Sequence, residues 1–75
     1  MQEVLVIAPT PDQNLLDALR ERSPEVAATV QRGLDPLGNA RARLTLSHPD
    51  SARLAHVREA WLAALRAAGY SAFVV

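Results

Sequence analysis

The only side chains grouped as if for chemistry lie in "SHPDS": Ser47, His48, Asp50 and Ser51. A hydroxyl, an imidazole and a carboxylate are the parts of nucleophilic catalysis, in which a base takes the hydroxyl proton and an acid orients the base. Their spacing argues against that use. The three roles need side chains converging from separate parts of a fold, which neighbours along one junction rarely do. His56 is a second imidazole; on one helix it would stand about 12 Å from His48, too far to share a metal. Cysteine is absent, which removes thiolate metal sites and disulfides together. The residues therefore predict no catalytic, metal or cofactor-binding set and a non-enzymatic chain, with His48 at a helix start and His56 on a surface.

Charge narrows the partners. Eight arginines balance eight carboxylates and there is no lysine. A net charge of zero argues against a general nucleic-acid binder, which carries a basic excess. No apolar run approaches the ~18 residues of a membrane span. The opening "MQEVLVIAPTP" lacks the positive flank of a signal peptide. The expectation is a cytoplasmic chain with neither nucleic acid nor membrane as partner. Seventy-five residues make one small domain, 1–75. A chain of this size hides only about 60% of the surface its unfolded form exposes. Oligomerisation is the support left open once disulfides and metals are excluded.

The elements that position these residues follow from pattern. "EVLVIA", Glu3 to Ala8, is a continuous apolar run suited to a strand buried on both faces, hence central in its sheet. Pro9 stops it. In "TPDQNLLDALRER", Thr10 reads as the N-cap, Pro11 as the first helical residue and Gln13 as the partner of a capping box, with Asp12 in the first turn. Leu15, Leu16 and Leu19 make its apolar stripe, and Ser23-Pro24 ends it. "EVAATVQR", Glu25 to Arg32, fits a strand or a short helix. The following "GLDPLGNARARLTL" decides for the strand. Asp35, Pro36 and Gly38 hold the first, second and fourth positions of a type I turn. Ala40, Ala42, Leu44 and Leu46 then alternate with Arg41, Arg43, Thr45 and Ser47, as in a half-buried strand. Two strands about a turn make a hairpin. A long helix follows, with Ser47 or His48 as cap, Pro49 in the first position, and Leu54, Val57, Trp61, Leu65 and Ala68 as its buried stripe. Gly69 reads as the residue just past its end, and "YSAFVV" as a last strand.

The order β-α-β-β-α-β is the ferredoxin-like plan: an α+β fold with two helices on one face of a four-stranded antiparallel sheet. The competing order, βααβαβ with a three-stranded sheet, takes residues 24–33 as a helix. Fold does not give function, and the sites known on this plan are missing. The first strand-to-helix loop, "APTPD", has no cysteine pair for a heavy metal and no Gly and Arg for a phosphate cradle. The central strands "VLVIA" and "ARLTL" have no aromatic rings for stacking RNA bases. What remains is the sheet face away from the helices, polar near the hairpin and apolar along the first and last strands, with an apolar last strand that looks unguarded at its edge. This predicts a protein-interaction module that self-associates, most simply as a homodimer, through Tyr70, Ala72, Phe73, Val74, Arg41 and Arg43. Two other readings stand beside it. One is a small-molecule-sensing regulatory domain with Thr10, Asp12 and Asn14 facing the 33–39 hairpin tip. The other is a structural or regulatory component of a larger bacterial or phage assembly.

Overall fold

The computed structural model describes residues 1–75. Strand β1 (Gln2–Ala8) leads to helix α1 (Gln13–Arg22), the hairpin β2 (Ala27–Leu34) and β3 (Ala40–Ser47), helix α2 (Ser51–Ala67) and strand β4 (Ser71–Val74). The four strands form one antiparallel sheet in the spatial order β2-β3-β1-β4. This is the ferredoxin-like arrangement, and residues 24–33 contribute a strand, not a second helix. The turn is closed as its residue types require. Gly38 N–H donates to the Asp35 carbonyl at 2.9 Å, and Gly38 takes φ +85°, a conformation open mainly to glycine.

Strand alternation sorts the side chains between two faces. Leu5 and Ile7 of β1, Ala42, Leu44 and Leu46 of β3, and Ala72 of β4 face the helices and are buried. From the helices come Leu16 and Leu19 of α1 and Leu54, Val57, Trp61, Leu62 and Leu65 of α2. Trp61 is 1% exposed, and its indole N–H points to the Ser23 hydroxyl at 3.4 Å. The residue that ends α1 thus satisfies the one polar atom of the largest core side chain. The stripe on α2 differs from its expected form by one position at each margin: Leu62 is inside and Ala68 is exposed. Ala68 is the C-cap, beyond the last helical turn, and Gly69, with φ +94°, turns the chain toward β4.

Both helix starts correct the reading of the sequence. The cap of α1 is Asp12, not Thr10, and its carboxylate accepts from Asn14 N–H at 3.0 Å. The cap of α2 is Asp50, not Ser47 or His48, and it accepts from Ala52 and Arg53 N–H. Each helix therefore begins after the acid, and Pro11 and Pro49 stand outside it. Aspartate and threonine or serine compete for the same role. Here the residue nearer the apolar stripe takes it.

Leu44, which has no exposed surface, sits in the middle of the core. Leu44→Ala is expected to cost about 2–5 kcal/mol. Leu34→Ala, at a position 73% exposed, should change stability by less than about 0.5 kcal/mol. Urea unfolding followed by Trp61 fluorescence compares the two.

Candidate functional site: the open sheet face

The residues first suspected of chemistry are engaged in local structure. The His48 ring Nδ1 accepts from Asp50 N–H at 2.9 Å, and the Asp50 carboxylate is spent on the start of α2. The imidazole thus braces the turn before the helix, and no hydrogen bond joins it to that carboxylate. His56 is exposed on α2. No group of three or more His, Asp or Glu side chains is placed to hold a metal, and no helix is long and apolar enough to cross a membrane.

The suspected ligand set lies beside the hairpin tip, and Asp12 is the member that the fold engages. Register places the first strand-to-helix loop at the same end of the sheet as the hairpin tip, as Ile7 pairs with Ala42 and Leu34 with Ala40. Arg32 of β2 reaches Gln13 at 2.7 Å. Asp12, however, uses its carboxylate on Asn14 N–H, and its own N–H donates to the Tyr70 hydroxyl at 3.2 Å. Asp12 accordingly ties the start of α1 to the beginning of β4. Tyr70, expected at an interface, spends its hydroxyl inside the chain.

The open face is built by the other half of the alternation. Val4 and Val6 of β1 lie between β3 and β4, where Val6 pairs with Arg43 on one side and Phe73 on the other. Val75 N–H donates to the Val4 carbonyl at 3.0 Å, which continues the row. Val4, Val6, Phe73 and Val75 form a contiguous apolar strip, in which Phe73 is 46% and Val75 70% exposed. The β2–β3 half of the face carries Thr29, Gln31, Arg41, Arg43 and Thr45. Of the residues expected at an interface, Phe73, Arg41 and Arg43 are on this face. Ala72 is buried under α2, because the strand's alternation turns it the other way.

The last strand is guarded, contrary to its reading from sequence. The Val75–Val4 bond fixes the phase of the ladder: residues 71, 73 and 75 bond to β1, so Ala72 and Val74 turn their backbone groups outward. The Ala72 carbonyl then accepts from Arg66 Nε at 3.1 Å and Nη2 at 2.8 Å. The opposite edge is treated alike. The Asp35–Asn39 pair sets the phase of β2 so that Ala28 faces outward, and Arg20 of α1 donates to its carbonyl at 3.4 Å. Each helix thus lays one arginine over the outer edge of the strand that follows it. That is protection against unwanted strand pairing.

At the hairpin tip, Asp35 collects donors. Its Oδ1 accepts from Leu37 and Asn39 N–H, both at 2.9 Å, and its Oδ2 accepts from Arg41 Nε at 3.1 Å. These bonds, Asn39 N–H foremost, hold its carboxyl below the ordinary value of 3.8. Glu25 is lowered too, first by its own backbone N–H and then by Arg53, which it meets at 2.8 Å. That pair ties the entry of β2 to α2.

Compared with known protein families, curated proteins and solved structures, the chain matches none.

Two tests follow from this geometry. Arg66→Ala exposes the outward carbonyl of β4 and should drive strand-paired assemblies, seen as thioflavin binding at raised concentration; Arg22→Ala, on a residue that bonds to no strand edge, should not. No increase for Arg66→Ala would show that the guanidinium does not protect the edge. The second concerns pH. A carboxyl held lower in the folded than in the unfolded chain stabilises fully above its unfolded value and is lost as pH falls through its folded one. Amide exchange at Leu37 and Asn39 should therefore speed up, relative to the core, from roughly pH 5 down to pH 3, and Asp35→Asn should remove that dependence.

Proposed function

We propose that the chain is a non-enzymatic interaction domain that self-associates through the apolar strip of its open sheet face. The observation that carries this reading is the strip itself: Val4, Val6, Phe73 and Val75 stand side by side with no helix over them, in a domain too small to bury much else.

A second copy suits the strip for a geometric reason. A two-fold axis running along the strands at the β1–β4 boundary lays the β4 of one copy over the β1 of the other. The four apolar residues then meet their own kind. The β2–β3 halves fall outside the overlap on opposite flanks, so the two copies of Arg43 do not face one another and remain in water. Pairing through the β4 edge is the less favoured route, because Arg66 would first have to give up two hydrogen bonds to Ala72.

Phe73 has about half its surface left to bury, which corresponds to about 1 kcal/mol per copy. Since a two-fold interface counts each residue twice, Phe73→Asp is expected to weaken the dimer by at least about 30-fold. Thr29→Asp, on the flank outside the overlap, should leave it intact. Light scattering across a range of concentrations reads both, with circular dichroism to confirm folding. A wild-type chain that stays monomeric at the highest concentration rules out self-association.

A further inference from the structure

We propose a second site, adjoining the apolar strip at Val6: the notch between the hairpin tip and β1 binds a small organic anion, with a phosphoryl or carboxylate group on Arg41 and Arg43 and an apolar body against the side of Val6 that faces Arg43. The notch is a concavity of about 400 Å³ whose lining includes Val6, Gln31, Gly33, Asp35, Arg41 and Arg43.

The arginine inventory singles it out. Six of the eight guanidinium groups have acceptors: Arg20 on Asp17 and Ala28, Arg32 on Gln13, Arg41 on Asp35, Arg53 on Glu25, Arg58 on Glu3 and Glu59, and Arg66 on Ala72. Arg22 stands in the last turn of α1, where the helix dipole favours a cation. Arg43 has no such support. It lies on β3, a strand paired on both sides, between Val6 and Gln31, and neither can accept a full ion pair.

Its surroundings are arranged for an incoming acceptor. Arg41 and Arg43 are two residues apart on one strand and share a face, roughly 7 Å between Cα atoms. Two like charges so placed repel unless an anion bridges them. Asp35 does not fill that role. Its carboxylate takes the Nε of Arg41 and is otherwise turned to the backbone of its own turn. That bond fixes the guanidinium and leaves its outer nitrogens free. Opposite Arg41 stands Gly33, where an added Cβ would meet nothing within 4 Å, so the floor of the notch is open. A guanidinium pair of this kind matches the oxygens of a phosphoryl or carboxylate group.

An NMR titration of the full chain tests the site with three probes: phenyl phosphate, phenylacetate and inorganic phosphate. Saturable shifts are expected at Gly33, Arg41 and Arg43. At least one phenyl compound should bind more tightly than inorganic phosphate, because Val6 contacts the ring. The stronger of the two distinguishes a phosphoryl from a carboxylate ligand. Arg43→Gln should weaken binding by about tenfold or more, and Arg22→Gln should not alter it. Val75→Asp, which breaks self-association at the end of the strip away from Val6, should not weaken binding, so this site and the dimer fail or survive separately. Unsaturable shifts spread over all arginines, no saturable shift with any probe, or Arg43→Gln binding as the wild type would overturn the proposal.

Discussion

The structure depends on a limit of coverage: two helices reach across only one face of four strands. Every side chain on a strand is assigned by that limit, because alternation sends half of them under the helices and half into water. Under the helices the chain places its bulk, with Leu5, Ile7, Leu44 and Leu46 from the sheet meeting Leu54, Val57, Trp61 and Leu65 from α2. The core is nearly all hydrocarbon. Its one aromatic nitrogen is answered by Ser23, so the helix end that proline enforces also serves the interior. On the other face nothing covers the sheet, and the sequence there is a choice about what is shown to solvent.

That choice divides at β1. To one side are Thr29, Gln31, Arg41, Arg43 and Thr45, a surface at ease in water. To the other are Phe73 and Val75 beside Val4 and Val6. An antiparallel sheet with one solvated face normally reads polar on that face throughout. Here β1 is apolar on both sides, as a strand is when it expects cover on both. The strand is central in the sheet for hydrogen bonding, but its two-sided hydrophobicity is satisfied by the fold on one side alone.

Much of this was legible in the residues because it depends on local pattern. The hairpin declares itself through Asp35-Pro36-Leu37-Gly38 and the eight-residue alternation after it, and the structure confirms both. The central place of β1 and the burial of Trp61 follow from apolar spacing alone. What could not be read depends on relations between distant elements or on competition within one motif. Thr10 and Asp12 both suit a helix cap, and local preference does not say which side of proline the helix begins. Alternation marks Leu5/Ile7 and Val4/Val6 as opposite sets, but only the placement of the helices says which set is inside. The guard on β4 was invisible for the same reason. Arg66 reads as a helix-terminal cation until Gly69 reverses the chain and brings the Ala72 carbonyl beneath it.

The arginines show how a chain without lysine and without net charge distributes cations. A guanidinium has several donors in a fixed plane, so one side chain can close a strand edge, as Arg66 and Arg20 do, or staple distant elements, as Arg58 of α2 does by reaching Glu3 of β1 while also holding its neighbour Glu59. Lysine, a compact and strongly hydrated charge, suits neither task as well. The carboxylates are used just as locally: Asp12 and Asp50 start the helices, Asp35 closes the turn, and Glu3 and Glu25 anchor strands to α2. With acids and bases so largely matched inside the fold, overall neutrality carries no information about the open face. The relevant quantity is the local balance there, and it is positive: the face holds Arg41 and Arg43, and the acidic side chain at its margin, Asp35, takes one nitrogen of Arg41 and is otherwise turned to the backbone of its own turn.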